Sequence, residues 1–360
     1  MRIAFAWWGT WWHVVPIQSL IKYINKNHNA EHDFLWFGEK PSLEYDTFTQ
    51  LQASIPKITF ITITSGKRRR EKWWLPFLKN IWWLFSLTVG IWQSLYWLKK
   101  EKIDIVFCKW WYVSLPVVFA AYLLRKPIFL HESDTKPGLA NRICSMFAST
   151  IFTWFSEVFP GKEIVVGQIL DDDIVPSKSV IKDVQGEKNK ITHVLVTWGS
   201  QGAQSLYAPL IELLSTHKLD AVCFYVILGT KNKDMAPAFS AFPNVVCYDF
   251  VSQIEMGKLL LLCDVAITRG WTTSLAEQHL FRMKKIIVPI PWTHDQLKNA
   301  KYYEKHDNDV LVMQDTDSYK DCLFEAVLSL AQYKKTIALN HIVQNVSEPK
   351  RKIVAMMIKK

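Results

Sequence analysis

The feature that most constrains the fold is an alternation of short apolar runs and helical segments. Apolar runs of strand length occupy 2–6 (RIAFA), 103–108 (IDIVFC) and 127–132 (PIFLHE). Apolar residues at helical spacing follow the first run from Pro16 onward and fill 114–124 between the other two. Because strands that alternate with helices pair in parallel through right-handed crossovers, this half of the chain predicts an α/β domain.

The same alternation starts again in the second half. A strand is predicted at 193–197 and a helix from about 203, within the segment HVLVTWGSQGAQSL. Further strands are predicted at 222–228, 244–248, 264–267, 285–289 and 309–313. A polar stretch at roughly 170–191 separates the two series and is the predicted interdomain region. We therefore predict two doubly wound parallel-sheet domains, which suits a length of 360 residues.

Composition favours a folded protein with an anionic partner. Hydrophobic residues make up 49% of the chain and charged residues 21%, and Lys plus Arg exceed Asp plus Glu by 10. That excess suits a nucleotide, a phospholipid surface or nucleic acid. The six cysteines have neither disulfide-framework nor metal spacing and are predicted to be reduced thiols. No signal peptide is expected, because no small-residue cleavage site follows the first apolar run.

Tryptophan and glycine have unusual frequencies. The chain has 17 Trp and only 13 Gly, and five Trp-Trp pairs occur where random placement predicts less than about one. If every Trp were exchanged for Gly, the chain would have 30 glycines, close to the usual ~7%.

An uncharged run of 18 residues, Ile81–Leu98, is long enough for a membrane-spanning helix. The alternative is an apolar helix that packs on its domain and touches a bilayer surface. We favour the alternative, because strands of the same domain lie on both sides of the run. The nearby basic residues 67–70 (KRRR) suit anionic lipid headgroups better than nucleic acid, so no nucleic-acid partner is predicted.

The loop 7–13 (WWGTWWH) lies between the first strand and its helix. This is where an open α/β sheet binds anionic ligands through main-chain N–H groups. A ligand can approach the main chain closely only where the residues lack a Cβ. Four indoles in this loop predict either an aromatic plug or a lost site. His13 follows directly, and either a structural role or general-base work is open to it.

Six segments resemble motifs of the MurG glycosyltransferases, which transfer N-acetylglucosamine to lipid I in peptidoglycan synthesis. The segments and the family patterns are WWGTWWHVVP (7–16) with GGGTGGHxxP, KWWYVS (109–114) with GGYVS, HESDTKPGLANR (131–142) with HEQNxxPGLxNR, TWGSQGAQSL (197–206) with GGSQGAxxxN, RGWTTSLAE (269–277) with RSGAxTxxE, and HDQLKNA (294–300) with DHQxxNA. Each match is weak alone, but six in family order over about residues 1 to 315 are specific.

The alignment offers an explanation of the excess tryptophan. Eight Trp stand where the family has glycine, namely Trp7, Trp8, Trp11, Trp12, Trp110, Trp111, Trp198 and Trp271. Our hypothesis is that UGA codons in this gene encode glycine, and that the sequence was translated with a genetic code in which UGA encodes tryptophan. Some of the 17 Trp, such as Trp36, are candidates for genuine tryptophan. The alternative is a membrane-associated pseudoenzyme whose site is filled with indole.

The resemblance implies a GT-B fold with two Rossmann-like domains facing a cleft. The implied domains are 1–165 for the acceptor and the membrane, 166–340 for the UDP-sugar, and a final helix at 341–360 that packs back on the first domain. The implied reaction moves GlcNAc from UDP-GlcNAc to undecaprenyl-linked lipid I with inversion, at the cytoplasmic face of the cell membrane, with an anionic membrane surface as a further partner.

The resemblance also implies the site residues. The catalytic candidates are His13 as general base and Glu132 as a second base or a partner for the acceptor. Binding residues implied on the acceptor side are Thr10, Trp11, Trp12, Tyr112, Asp134 and Asn141. On the donor side the resemblance implies Ser200 for phosphate, Val251 for uracil, Thr272, Thr273 and Ser274 for the diphosphate, Glu277 for the ribose, and Gln296 and Asn299 for the sugar. Gly199, Gln201, Leu275 and Ala276 are further implied substrate-binding residues. Main-chain amides and helix dipoles can stabilise the leaving UDP, so neither a metal nor a cofactor is expected.

Four departures from the family pattern leave the acceptor and the sugar open. Asp171 stands at the position of an arginine in the family segment GNPVR, and Asp134 replaces an asparagine. Asp295 replaces a family His or Gln, and Gly270 replaces a serine. A related lipid-directed glycosyltransferase with another acceptor therefore remains an alternative. The triple Asp171–Asp173 is interpreted as a solvated acidic turn rather than a metal site.

Overall fold

The computed structural model describes residues 1–6, 11–28, 32–38, 43–65, 75–109, 113–177, 179–181, 184, 191–198, 204–229, 232–336 and 339–358. The chain forms two compact units, and each contains one parallel sheet with flanking helices. Unit 1 comprises Met1–Ile169 and Glu348–Lys360, and unit 2 comprises Leu170–Ser347. Two parallel-sheet α/β domains confirm the predicted fold class. The chain passes between units after Ile169 and Ser347, where the sequence predicts boundaries after 165 and 340.

Unit 1 contains a seven-stranded sheet in the order β3-β2-β1-β4-β5-β6-β7, in which every described pairing is parallel. Its strands are β1 (Arg2–Ala6), β2 (Asp33–Gly38), β3 (Ile58–Thr62), β4 (Ile105–Cys108), β5 (Ile128–Glu132), β6 (Thr150–Thr153) and β7 (Glu163–Val165). Its helices are α1 (Trp11–Asn27), α2 (Leu43–Ser54), α3 (Leu75–Lys100), α4 (Ser114–Leu123) and α5 (Leu139–Cys144). The chain leaves β1 toward β2 on one side and later returns to β4 on the other, so β1 and β4 form a topological switch point.

The alternation of side chains along β1 divides the core of unit 1 between the two faces of the sheet. Ile3 and Phe5 pack in one cluster with α1, α2 and the C-terminal residues of the chain, including Ile353. Ala4 and Ala6 lie in the other cluster, with residues of α3 and α4. Because both faces are covered, the strands are apolar throughout, as expected for a buried parallel sheet.

The long apolar helix α3 packs on its own unit. Gly90 lies against the main-chain carbonyl of Thr64 and the ring of Pro116, where a Cβ would have no room. Among the described residues, none of the helices combines the length and apolarity needed to span a bilayer.

Unit 2 contains a six-stranded parallel sheet in the order β10-β9-β8-β11-β12-β13. Its strands are β8 (Thr192–Thr197), β9 (Val222–Ile227), β10 (Val245–Tyr248), β11 (Val265–Thr268), β12 (Lys284–Ile287) and β13 (Val310–Leu311). Its α-helices are α6 (Gln204–Thr216), α7 (Ala236–Phe239), α8 (Gln253–Leu262), α9 (Thr272–Leu280), α10 (His294–Asp307) and α11 (Tyr319–Ser329). Short 3₁₀ helices occupy Asp172–Ile174 and Lys233–Met235. The last helix, α12 (Leu339–Ile358), begins in unit 2 and ends in unit 1.

All nine strands predicted from the sequence are present, with ends shifted by two residues at most. Four further strands, β2, β3, β6 and β7, were not predicted. β6 and β7 are only four and three residues long, so their apolar runs are too short to stand out. The last predicted strand, 309–313, forms only at Val310–Leu311, at the edge of the sheet.

Candidate functional site

The carboxyl ends of the central strands of unit 1 carry the first group of candidate residues. β1 ends at Ala6 and β4 at Cys108, and the Ser114 hydroxyl at the start of α4 donates to the carbonyl of Ala6 at 3.1 Å. The loops that follow β1 and β4 therefore leave the sheet at neighbouring points. This is the edge at which doubly wound sheets bind ligands.

Several predicted residues of these two loops cannot be placed. Thr10 and Tyr112 lie outside the described residues. Trp11, Trp12 and His13 form the first turn of α1, but their side chains also lie outside the described part. The role of His13 as general base therefore stays a prediction.

Glu132, the last residue of β5, is buried and accepts three hydrogen bonds. Its Oε1 accepts from the main-chain N–H groups of Ser133 and Asp134 at 2.7 and 2.9 Å, and its Oε2 accepts from the side-chain amide of Asn141 at 2.8 Å. Three donors stabilise the ionised form of a carboxyl group. The structure thus brings together three of the predicted residues, Glu132, Asp134 and Asn141.

A buried lysine lies beside this carboxylate, and the sequence did not single it out. Lys109 directly follows β4 and is only 3% exposed, and its Nζ donates to Oε1 of Gln168 at 3.3 Å. The same oxygen accepts from the Ser133 hydroxyl at 3.0 Å. Burial lowers the pKa of Lys109 to about 7, against the opposing charges of Glu132 and Asp134.

His131 is a further buried member of this group. Its Nε2 lies 3.0 Å from the carbonyl oxygen of Gly167, which can only accept, so this nitrogen carries the proton. Burial and the charge of Lys109 hold the pKa of His131 well below its ordinary value of 6.5. His131 is therefore a neutral side chain that ties β5 to the segment after β7.

The second group of candidates lies at the carboxyl edge of the sheet in unit 2. Helix α9 begins at Thr272, after β11 and a three-residue turn, 269–271. Thr273, Ser274, Leu275 and Ala276 are buried in its first turns, and Thr272 is partly exposed. The main-chain N–H groups of such a helix start are free to bind an anion. Gly199, Ser200 and Gln201, predicted to bind phosphate beside it, lie outside the described residues.

Glu277 lies one turn further along α9 and is 3% exposed. In the described part of unit 2, no hydrogen bond reaches its carboxyl group. Burial, and then the neighbouring charge of Asp171, raise the pKa of Glu277 to about 8. A buried carboxyl group without a protein partner is a feature of ligand sites.

Gln296 and Asn299 lie on α10, and both pack against the turn before α9. Asn299 donates from Nδ2 to the carbonyl of Gly270 at 3.2 Å, and Gln296 accepts from the N–H of Ile290 at 3.2 Å. Among the described residues, the buried Nε2 of Gln296 has no hydrogen-bond partner. A Cβ at Gly270 would overlap the main chain of Gln296, which explains the glycine at a position where the resembling family has serine.

Val251 and Asp171 complete the second group. Val251 is buried directly before Ser252, the N-cap of α8, whose capping box with Glu255 holds this turn. Asp171 is buried and accepts from the N–H of Asp173 at 3.1 Å as the N-cap of a 3₁₀ helix. The described residues contain no group of three or more His, Cys, Asp or Glu side chains arranged to hold a metal ion.

Arg269 is a second residue that sequence reasoning left unassigned, although it belongs to the segment RGWTTSLAE. It is buried, donates to the carbonyl of Val288 at 2.9 Å and to Oε1 of Gln314 at 2.8 Å, and lies over the ring of Trp198. Burial lowers its pKa to about 10. For Lys109, the sequence signals were its position directly after an apolar strand and at the start of the segment KWWYVS, whereas Gln168 lies in a segment from which the sequence analysis singled out only Asp171.

Two family models match the chain, one in each half. The glycosyltransferase family 28 N-terminal domain matches residues 3–153, and the glycosyltransferase family 28 C-terminal domain matches residues 193–356. Together they cover most of both compact units.

Curated relatives and solved structures agree with these matches. The UDP-N-acetylglucosamine--N-acetylmuramyl-(pentapeptide) pyrophosphoryl-undecaprenol N-acetylglucosamine transferase of Shouchella clausii is 29% identical over 350 residues, covering 93% of this chain and 92% of the relative. The enzyme of the same name from Streptococcus uberis is 31% identical, covering 84% and 82%. The crystal structure of Acinetobacter baumannii MurG has a TM-score of 0.73 at 19% identity, over 99% of both chains.

An enzyme with a different activity shares the fold. The UDP-GlcNAc 2-epimerase of Neisseria meningitidis, bound to UDP-GlcNAc, has a TM-score of 0.66 at 13% identity and covers the whole of both chains. The likeness to solved structures therefore shows the fold, while the sequence relatives distinguish among activities.

Proposed function

This chain belongs to glycosyltransferase family 28, and from that premise we propose that it transfers N-acetylglucosamine from UDP-GlcNAc to N-acetylmuramyl-(pentapeptide) pyrophosphoryl-undecaprenol. The observation that carries this function is the match of both halves to the family, together with relatives of that activity that align over more than four-fifths of each chain. The chain is thus a UDP-GlcNAc-dependent N-acetylglucosaminyltransferase of peptidoglycan synthesis, which converts lipid I to lipid II.

Unit 2 is proposed to bind the donor. Glu277 accepts hydrogen bonds from the ribose hydroxyls, which supply the partners that its buried carboxyl group lacks in the described chain. The N–H groups at the start of α9, with Thr272, Thr273 and Ser274, bind the diphosphate. Gln296 and Asn299 bind the hydroxyls of the sugar, and the free Nε2 of Gln296 supports this assignment. Val251 meets the uracil through its main chain, and Ser200 binds phosphate.

Unit 1 is proposed to bind the acceptor at its switch point. His13 accepts the proton of the attacking hydroxyl, while UDP leaves from the opposite face of the sugar, which inverts the configuration. Thr10, Tyr112 and the residues at positions 11 and 12, which are glycine under the recoding hypothesis, are proposed to contact the acceptor. Both carboxylate oxygens of Glu132 already accept hydrogen bonds from the protein, which favours a role in holding the acceptor loop over proton abstraction.

The leaving diphosphate is stabilised in this proposal by groups of the chain itself. The start of α9 supplies N–H groups and the positive end of the helix dipole, which favour the charge that develops on UDP. The proposed reaction needs no metal and no cofactor, and UDP-GlcNAc is a substrate.

The protein is proposed to act peripherally at the cytoplasmic face of the cell membrane. Helix α3 exposes an apolar stripe at the spacing of one helix face, comprising Leu84, Phe85, Trp92 and Tyr96. The same helix ends with Lys99 and Lys100. An exposed aromatic stripe beside basic residues suits an anionic bilayer surface, and the undecaprenol chain of the acceptor resides in a bilayer.

A transfer assay tests the proposal. The full-length protein, with glycine at the eight aligned tryptophan positions, is incubated with labelled UDP-GlcNAc and a lipid I analogue. We expect label to pass to the lipid, and His13→Ala to lower turnover by at least ~10²-fold. UDP is also expected to raise the melting temperature. Absence of both transfer and UDP protection would overturn the assignment, and UDP protection without transfer would point to another acceptor.

A further inference from the structure

Lys109 carries a buried charge that the proposed mechanism does not use. Its side chain is 3% exposed, and an ammonium group at such a position is stable only when nearby anions and hydrogen bonds compensate for the lost water. The titratable groups that face it are Glu132 and Asp134, whose charges favour its protonated form, and His131, which is neutral. The ammonium is therefore stabilised electrostatically by both carboxylates, while its hydrogen bond goes to Gln168.

A chain of hydrogen bonds connects Lys109 to the segment that carries these carboxylates. Lys109 donates to Oε1 of Gln168, and this oxygen also accepts from the hydroxyl of Ser133, which lies between Glu132 and Asp134. Three segments that are distant in sequence, after β4, β5 and β7, thus meet at one amide oxygen. The position of the segment 131–134 depends on this junction.

The two carboxylates differ in how the protein satisfies them. Glu132 accepts hydrogen bonds from the N–H groups of Ser133 and Asp134 in its own loop and from the side-chain amide of Asn141 in α5, and these donors stabilise its ionised form. Asp134 adds a second negative charge at a position where the resembling family has a neutral asparagine. That added charge would repel an anionic acceptor unless a cation offsets it.

We propose that Lys109 is a positioning residue for the acceptor, matched to Asp134: its ammonium offsets that carboxylate and, through Gln168 and Ser133, holds the segment 131–134 where a lipid-linked diphosphate can approach. The inference rests on the proposed function in one respect, namely that unit 1 binds the acceptor. It assigns roles to Lys109 and Gln168 and explains why an aspartate is tolerated at 134.

This role has a consequence for pH. Because the pKa of Lys109 is about 7, the ammonium loses its proton as pH rises through neutrality, and its favourable interaction with both carboxylates is then lost. The kcat/KM for the acceptor should therefore fall as the pH rises above neutrality. If Asp134 is neutral, the pKa of Lys109 drops further, because one of the two charges that raise it is gone.

A double-mutant cycle tests the matching. The variants Lys109→Met, Asp134→Asn and the double variant are made in the protein used for the transfer assay. The acceptor KM, kcat and the pH dependence of kcat/KM are measured at saturating UDP-GlcNAc. Lys350→Met is the matched control, because Lys350 is another buried lysine of unit 1 and donates to the Ser19 hydroxyl at 3.0 Å.

We expect Lys109→Met to raise the acceptor KM by at least ~10-fold and to remove the fall in kcat/KM above neutrality. In the Asp134→Asn background the same change should cost at least ~3-fold less. Lys350→Met should lower the melting temperature without changing the acceptor KM. Protection by UDP should be the same in all variants, since it reports on unit 2.

Two results would overturn the inference while the proposed function stands. One is equal effects of Lys109→Met in both backgrounds, and the other is a lower melting temperature with unchanged KM and pH profile. If Lys109→Met fails to fold, the pH profile of Asp134→Asn decides alone: its falling limb should move to lower pH, and an unmoved limb contradicts the matching. Loss of transfer in the parent protein instead contradicts the proposed function.

Discussion

The side-chain amide of Asn141 donates a 2.8 Å hydrogen bond to Oε2 of Glu132, nine residues earlier in the chain. Both residues are buried, and the contact joins the end of β5 to helix α5. Asn141 thus fixes one end of the loop that we assign to the acceptor.

Asn141→Ala should destabilise the protein by about 1.5–3 kcal/mol, because it leaves a buried carboxylate oxygen without its donor. The acceptor KM should also rise. Urea denaturation and the transfer assay check both effects. Asn345→Ala is the control, since Asn345 is exposed and bonds only within its own helix, and it should change stability by less than ~0.5 kcal/mol. Equal effects of the two variants would contradict a special role for Asn141.

Glu277 should make the stability of the protein depend on pH. Its pKa in the folded protein is about 8, against an ordinary value of 4.5, so the folded state holds a proton that the unfolded state releases. The stability linked to this proton is present at low pH and is lost as pH rises from 4.5 through 8. Glu277→Gln should flatten this dependence and raise the melting temperature at pH 8.5 by at least ~3 °C. The exposed-residue control Glu325→Gln should follow the parent curve, and a parallel curve for Glu277→Gln would refute the prediction.

A buried ion network at the amino end of β12 should contribute strongly to the stability of unit 2. The Nζ of Lys285 lies 2.8 Å from a carboxylate oxygen of Asp309 and 3.1 Å from one of Asp307, and the Lys285 side chain is 1% exposed. Lys285→Met leaves two carboxylates without this cation and should cost about 3–5 kcal/mol in chemical denaturation. Lys320→Ala breaks the exposed pair with Glu212 and should cost less than ~1 kcal/mol. Similar losses of stability in the two variants would contradict the prediction that the buried network contributes more than the exposed pair.

The apolar stripe of α3 should bind anionic membranes. Phe85 is 59% exposed, and a charge at this position would prevent insertion of the stripe into the headgroup region. Phe85→Glu should therefore reduce co-sedimentation with vesicles of phosphatidylglycerol and phosphatidylcholine by at least ~5-fold. Val343→Glu introduces the same charge at an exposed apolar residue of unit 2 and should leave binding unchanged. Binding that persists in Phe85→Glu would assign membrane contact to another surface.

The identity of the aligned tryptophans can be measured directly. The indole Nε1 of Trp198 is buried and, among the described residues, has no hydrogen-bond partner, but the same holds for Trp36, so this feature does not separate the aligned tryptophans from the others. Mass spectrometry of the protein from its native source should give glycine masses at 7, 8, 11 and 12. Indole-sized masses at these positions would end the recoding hypothesis and favour a pseudoenzyme.

The local pattern of the sequence was sufficient for the six strands of the second sheet, for three of the seven strands of the first, and for the segments that carry the site. Apolar runs such as RIAFA and IDIVFC formed strands, because a strand buried on both faces must be apolar throughout. The segments HESDTKPGLANR and RGWTTSLAE contain Glu132, Asn141 and Glu277, and the order of these segments along the chain was the basis for predicting these residues as part of the site. Strands β6 and β7 were missed because three or four residues carry too little periodicity.

Only the tertiary structure decided which of these residues meet and what charge they carry. Lys109 and Gln168 are 59 residues apart and share a hydrogen bond, because parallel strands return to the same edge only through long crossovers. The raised pKa of Glu277 and the lowered pKa of Lys109 depend on burial and on neighbours such as Asp171 and Asp134. Neither pKa can be predicted from the order of residues along the chain, because desolvation and Coulomb interaction depend on distances in space.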